Sequence, residues 1–460
     1  MIQKCFLRIS ADHYRQLHSH LFPGDGDEHG AVLLAGMSIV DGRITLLVRE
    51  VHLAREGVDY VAGSVGYRAL TPKFIHRMIT RARDERLVYL AVHNHASDEH
   101  VDFSRIDLAS HARGYPALLQ IARGMPVGAL VLGKNSIEAD LWLPDSVRLR
   151  LDHAVVVGNT IRKLRPAPLE RSLTHQEVYD RQTRWFGKAG QAELAQTRVG
   201  IIGLGGIGSL IAELLARLGV GGFHLIDGDQ VEDSNLSRIV GATAEDAKKK
   251  RLKVDVAERV IRTANPHAHV KKFADDVVKA PIAAALAECD YLFLAADSMR
   301  ARLICNAMVH QHLIPAVQVG AKVRADEAGT LLEVMSANRP IRPGRGCLWC
   351  NQLIDPTQLA QEAKSDQERK NQAYGTQEPN PSVITLNAVA ASHAVNDFLL
   401  HYLCLIPDTP ALHYEHFHHL SNVRKLVQPR LDPNCSECAC HGMRYAQGSH
   451  VELPCADTEK

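Results

Sequence analysis

Val199-Gly-Ile-Ile-Gly203-Leu-Gly205-Gly206-Ile-Gly208 decides the reading of the larger part of this chain. Val199–Ile202 is apolar and predicts a strand. Gly203, Gly205 and Gly208 then open a helix over Ser209–Leu218, and glycines let backbone amides approach phosphate oxygens at a helix N-terminus. Gly206 lies in the same loop. Asp227 ends the next predicted strand, Gly222–Asp227, nineteen residues after Gly208, where an acid reaches ribose hydroxyls. A helix over Lys248–Ala264, a strand over Tyr291–Ala295 and a helix over Ala301–His310 continue the rhythm. Strand-helix repetition predicts a parallel, doubly wound sheet. These residues alone leave NAD and ATP equally open as ligands.

Upstream, the pattern changes. Strands are predicted over Ala31–Gly36 and Ile44–Val51, with Asp41-Gly42 as the turn between them. A helix follows over Phe74–Glu85, a strand over Leu87–Val92, a helix over Ser104–Gly114, and strands over Gly128–Val131 and Ile137–Trp142. The chain is therefore read as α/β, with an N-terminal mixed α/β domain at 1–148 and a C-terminal Rossmann-like, doubly wound domain at 197–441. Residues 149–196, which include Arg165-Pro-Ala-Pro168, are read as a linker and helical lead-in. Gln358–Gln377 is polar and reads as a mobile loop or crossover. Ser382–His401 reads as a long apolar-periodic helix, and 442–460 as a polar tail. No internal repeat is visible.

Bulk properties exclude several classes. A net charge of +1 gives no global field for nucleic acid or an anionic membrane. No apolar run reaches the ~20 residues needed to span a bilayer. The N-terminus starts no secretory signal. Ten cysteines, two pairs of them Cys-x-x-Cys, then favour metal-holding thiolates in a reducing cytoplasm over disulfides.

Residues 93–107 read His-Asn-His-Ala-Ser-Asp-Glu-His-Val-Asp-Phe-Ser-Arg-Ile-Asp. His93 and His95 stand two apart at a strand end, so both side chains share one face. Asp107, opening the next helix, is placed to supply a third ligand and leave a fourth position for water, the arrangement of a catalytic zinc. Ser104 lies three residues before Asp107, on the same helical face, and is a candidate oxyanion donor. These residues resemble the JAMM motif of the JAB/MPN family of zinc isopeptidases, with Glu28-His29-Gly30 before an apolar strand. The resemblance covers about the first 145 residues. It implies Glu28 as base, His93, His95 and Asp107 as zinc ligands, and Ser104 as oxyanion donor. Ala96 departs from the proline common there, and eight residues instead of seven separate His95 from Ser104.

Asp227-Gly-Asp229-Gln-Val-Glu-Asp-Ser234-Asn235-Leu-Ser-Arg238 closely resembles the signature of the ThiF/MoeB and ubiquitin-activating superfamily. So do Lys253 before Asn265-Pro266, Ala295-Ala-Asp297-Ser298 followed by Arg302, and Tyr179-Asp-Arg181-Gln182 upstream. The resemblance spans about residues 175–440. It implies ATP as ligand, Asp227 and Asp229 near the ribose, Asn235, Arg238 and Lys253 on the phosphates, and Asp297 on Mg²⁺. Arg181 would act on phosphates, in relatives often from a partner subunit, so a homodimer is expected. The implied reaction adenylates the C-terminal glycine of a ubiquitin-like protein, and Arg, Lys and Mg²⁺ offset the charge gathered at the α-phosphate.

Cys347-Leu-Trp-Cys350 and Cys435-Ser-Glu-Cys438 form two knuckles suited to one tetrahedral structural zinc. Cys5, Cys289 and Cys305 read as core, and Cys404 as packed within an apolar helix. Asn351–Pro381 holds no cysteine, where thioester-forming relatives carry their nucleophile. Together the resemblances imply an adenylyltransferase fused to a zinc isopeptidase in a ubiquitin-like conjugation system of the kind found in prokaryotic and antiviral operons, with a separate conjugating enzyme as partner. The alternatives are activation of a sulfur-carrier protein with a sulfurtransferase partner, and a non-catalytic scaffold.

Overall fold

The computed structural model describes residues 4–61, 69–145, 147–168, 177–364, 381–408 and 411–455. The chain divides into two compact units. The first takes the described residues within Met1–Glu170, together with Gln311–Leu313 and Cys440–Glu452. The second takes those within Arg171–His310, Ile314–Ala439 and Leu453–Lys460. Among the described residues, no helix is long and apolar enough to cross a membrane.

The first unit contains β1 (Lys4–Ser10), α1 (Ala11–Leu21), β2 (Gly30–Val40), β3 (Arg43–Leu53), α2 (Pro72–Asp84), β4 (Val88–Asn94), α3 (Arg105–Ala122), β5 (Val127–Leu132), β6 (Ile137–Trp142), β7 (Arg148–Val157) and β8 (Ile161–Leu164). The eight strands form one sheet in the order β1-β3-β2-β4-β5-β6-β7-β8, and β1 also pairs with β7, so the sheet closes on itself like a barrel. Both faces of β2 are covered. Ala31, Leu33 and Ala35 pack with α1 residues Tyr14, Leu17 and Leu21. Val32 and Leu34 pack with Phe74, Met78 and Ile79 of α2 and Tyr115 of α3. Two-sided burial explains why β2 reads as an unbroken apolar run instead of an alternating one.

The second unit contains α4 (Asp180–Gln196), β9 (Arg198–Ile202), α5 (Gly206–Arg217), β10 (Gly222–Ile226), α6 (Ala244–Lys248), α7 (Lys253–Ala264), β11 (His269–Phe273), α8 (Ala280–Ala285), β12 (Tyr291–Leu294), α9 (Met299–His312, less its last two residues), β13 (Ala316–Ala325), β14 (Leu331–Ile341), α10 (Pro356–Glu362), α11 (Ile384–Tyr402), β15 (Tyr414–His418) and β16 (Val423–Val427). Its sheet runs β11-β10-β9-β12-β13-β14-β15-β16. The first five strands are parallel, as the strand-helix repetition predicts. The last three continue antiparallel.

Several expectations need correction. The linker read over 149–196 holds most of β7, all of β8 and then α4. The polar tail read from 442 includes Tyr445 and Ala446, which are buried with Leu47 and Leu313. The helix expected over Lys248–Ala264 is two helices, because Lys250 adopts a left-handed φ of 47° between them. Cys404 lies past the end of α11 and is exposed. The crossover expected at Gln358–Gln377 falls partly outside the described residues.

Candidate functional sites

In the first unit, β4 delivers His93 and His95, and α3 begins close by. Ser104 caps α3: its Oγ accepts from the Asp107 amide at 3.1 Å, while Asp107 Oδ2 accepts from the Ser104 amide at 2.8 Å. That reciprocal box fixes Asp107 at the helix start. The three ligand atoms converge. His93 Nε2 and His95 Nε2 are 3.2 Å apart, and Asp107 Oδ2 stands 3.6 and 3.5 Å from them. Ligands held tetrahedrally at about 2.05 Å from one zinc would stand about 3.3 Å apart, so the donor set fits that ion. Glu28 Oε1 is 3.9 Å from His95 Nε2. All five residues expected at this site are brought together.

The electrostatics follow from the crowding. Burial opposes ionisation of Asp107, but bonds from His93, His95 and Ser104 overcome it and carry its pKa well below the usual carboxylate range. The bond to Asp107 raises the pKa of His95. Burial raises the pKa of Glu28, against the pull of His93 and His95. A carboxyl raised above its ordinary value is better matched to accepting a proton near neutrality.

In the second unit, the glycines divide into two kinds. Gly203 has φ +91°, and a Cβ there would lie 2.7 Å from the Ala296 amide nitrogen. A Cβ on Gly206 would overlap the Asn387 side chain, and one on Gly208 would overlap the Gly203 carbonyl. Gly205 differs: a Cβ there meets nothing within 4 Å. Gly205 is the N-cap of α5 and no side chain caps that helix. The amides of the first turn are thus left for an anion.

Asp227 anchors the loop from below. Its Oδ2 accepts from the Leu204 amide at 2.7 Å and its Oδ1 from the Asp229 amide at 2.9 Å. Burial raises its pKa, although Lys253 and the two amides oppose the rise. Lys253 Nζ lies 2.6 Å from Asp229 Oδ2 and 3.8 Å from Asp227 Oδ1. Arg238 sits over the loop, with its Cβ 3.5 Å from the Cβ position of Gly206, and donates to the Ser234 carbonyl. Asn235 is buried and holds the Glu232 amide. Asp297 is exposed and follows Ala296, which abuts Gly203. A single exposed carboxylate is the donor Mg²⁺ takes when nucleotide phosphates complete its shell. Arg181 is exposed at the start of α4. Asn387 was not anticipated; its signal is an amide in the apolar run of α11, buried against Gly206 and held by Ser382.

The four knuckle cysteines also meet. Cys347 Sγ is 3.5 Å from Cys350 Sγ and 3.8 Å from Cys435 Sγ, and Cys350 Sγ is 3.6 Å from Cys438 Sγ. Four thiolates about 2.3 Å from one zinc would stand about 3.8 Å apart, which fits. The bond with Cys438 lowers the Cys347 thiol below its ordinary range.

Comparison with known proteins gives curated relatives and one family. The sulfur carrier protein ThiS adenylyltransferase of Bacillus subtilis is 37% identical over 139 residues, 30% of this chain and 41% of that protein. The molybdopterin-synthase adenylyltransferase of Escherichia coli is 35% identical over 158 residues, 34% of this chain and 62% of that protein. The SAMP-activating enzyme E1 of Haloferax volcanii is 32% identical over 146 residues, 32% of this chain and 53% of that protein. The chain thus spans about half the length of these curated relatives. The signature of the ThiF family matches residues 179–438, more than half of the sequence, and takes in the glycine loop, Asp227, Arg238, Lys253, Asp297 and all four knuckle cysteines: the chain belongs to the ThiF family.

Proposed function

We propose that the second unit is an adenylyltransferase acting on the C-terminal glycine of a ubiquitin-like or sulfur-carrier protein. The observation that carries this reading is the uncapped start of α5 at Gly205, with Asp227 bonded to the Leu204 amide just before it and Arg238 packed beside Gly206. The terminal carboxylate attacks the α-phosphorus of ATP, the bond to the β-phosphate oxygen breaks, and pyrophosphate leaves. Backbone amides of α5, Arg238 and Lys253 take up the charge gathered at the phosphates. Asp297 would hold Mg²⁺, which would offset charge on the phosphates, and Arg181 would serve the phosphates of a partner copy in a homodimer.

The first unit is proposed as a zinc-dependent isopeptidase that trims the same carrier or removes it from targets. His93, His95 and Asp107 would hold the ion, which supplies Lewis acidity that makes water nucleophilic at neutral pH. Glu28 accepts a proton at Oε1, and the Ser104 hydroxyl donates toward the scissile carbonyl oxygen. Cys347, Cys350, Cys435 and Cys438 would hold a structural zinc. The two Cys-x-x-Cys pairs support a cytoplasmic location as part of this proposal. Names of the relatives favour sulfur-carrier chemistry as the second reading, and the cysteine-free stretch 351–381 suits it, because sulfide or a persulfide then takes the acyl group without a thioester on this chain.

The test is ATP–pyrophosphate exchange with ubiquitin-like and sulfur-carrier proteins ending in glycine, with and without C-terminal extensions. Exchange with mature carriers, lost in Asp297→Ala, is the expected result. Exchange with extended carriers only when Glu28 is present assigns the first unit to trimming. No exchange with any mature carrier sinks the adenylation reading.

A further inference from the structure

Asn94 lies between the two histidines of β4 and is 5% exposed. Its side chain bonds twice to the segment that carries Glu28. Oδ1 accepts from the His29 amide at 2.6 Å, and Nδ2 donates to the Asp27 carbonyl at 3.4 Å. The two bonds bracket Glu28 on either side. Chemistry fixes the orientation of the amide, because the reverse would set two N–H groups against each other at the shorter contact.

The strand ladder explains why a side chain has this task. β2 and β4 pair antiparallel from Gly30↔His93 onward, so main-chain pairing stops where residues 27–29 leave the sheet. The Asn94 backbone is paired instead with β5, opposite Leu132. Its carboxamide therefore stands in for the missing ladder bond and extends the tie past Glu28. Neighbouring bonds stiffen the same turn: the His29 ring meets Asp25 at 2.9 Å, and the Gly30 amide donates to the Tyr60 hydroxyl at 2.9 Å.

We infer that Asn94 is a positioning residue that sets the Glu28 carboxylate beside the His93–His95–Asp107 cluster by clamping the main chain on both sides of it. The inference rests on the hydrolase reading of the first unit. Asn94 itself touches neither the reacting bond nor the ion. It works through distance, and displacing a catalytic group by about 1 Å costs about 10²-fold in rate.

The experiment uses full-length protein and a fluorescent peptide in which a Gly-Gly carboxyl is joined to a lysine ε-amine. In Asn94→Ala, kcat is expected to fall about 10²-fold while KM and zinc affinity stay within about threefold. Hydrogen exchange of the segment 27–30 accelerates in the same variant without zinc, because the His29 amide loses its acceptor. In a Glu28→Gln background, Asn94→Ala has no further effect on kcat. Should Asn94→Ala not fold, Asn94→Asp replaces it: the His29 bond survives, the Asp27 bond is lost, and the fall in kcat is smaller. Unchanged kcat and unchanged exchange in Asn94→Ala, or an added loss in the Glu28→Gln background, overturns the positioning role while leaving the hydrolase reading intact. Full activity of Glu28→Gln, or no cleavage by the zinc-loaded wild type, overturns the hydrolase reading and the role of Asn94 with it.

Discussion

The two candidate sites are built from different material. In the first unit the site is made of side chains: two imidazoles and a carboxylate within 3.6 Å of one another, with a second carboxylate beside them. In the second unit the anion site is made of backbone, the open first turn of α5, and side chains only surround it. The contrast teaches where each site is vulnerable. A side-chain site fails when one group is removed. A backbone site fails when one group is added, and only the position of each glycine says whether the damage falls on folding or on binding.

Four outcomes break or sharpen this contrast. The largest belongs to the side-chain site: Glu28→Gln should lower isopeptide hydrolysis by about 10²- to 10⁴-fold with zinc content unchanged, as measured by peptide cleavage and metal analysis. Retained cleavage would remove the first half of the comparison. At the backbone site, a surrounding side chain should matter less: Arg238→Ala is expected to slow ATP–pyrophosphate exchange by about 10²- to 10³-fold. The glycines come next. Gly208→Ala should destabilise the second unit by about 1–3 kcal/mol, read as a lower thermal midpoint, because its Cβ has nowhere to go. Gly205→Ala should leave the midpoint alone and instead raise the KM for ATP, since the added carbon stands in open space before the helix start. If both variants behaved alike, the division of the loop into packing and binding glycines would be wrong.

The smallest effect lies away from either site. A bond from His52 lowers the pKa of Glu50 to about 2; burial opposes this, and Arg81 adds to the lowering. A depressed carboxylate contributes stability above its ordinary value of 4.5, and that contribution disappears as the pH falls from 4.5 through about 2. Arg81→Met should therefore cost less than about 1 kcal/mol at pH 7 and flatten the acid limb of the thermal midpoint over that window.

Much of this was legible in the residues, for identifiable reasons. The glycine loop announces itself because close packing at Gly203, Gly206 and Gly208 forbids any side chain. The convergence of His93, His95 and Asp107 is legible because a two-residue step on a strand and a capped helix start leave little freedom. The strands of 148–164 were hidden by their exposed face: in β7, Arg148, Arg150 and Asp152 point outward while Leu149 and Leu151 are buried, so charge masked the alternation. Asn94 escaped notice because its role depends on where a ladder ends, which composition does not reveal. Tyr445 and Ala446 were lost in a polar stretch, since two core residues make no period.

That last stretch has a temporal consequence. Gly448 bridges Met37, Arg49 donates to the carbonyls of Gly442 and Tyr445, and a side chain on Gly36 would collide with Ala446. A ribosome releases residues 4–168 long before it reaches these. Domains emerging first generally fold first, but here the residues that cover Leu47 arrive only after translation has passed through most of the second unit. The first unit to begin is thus completed only when synthesis reaches Cys440–Glu452.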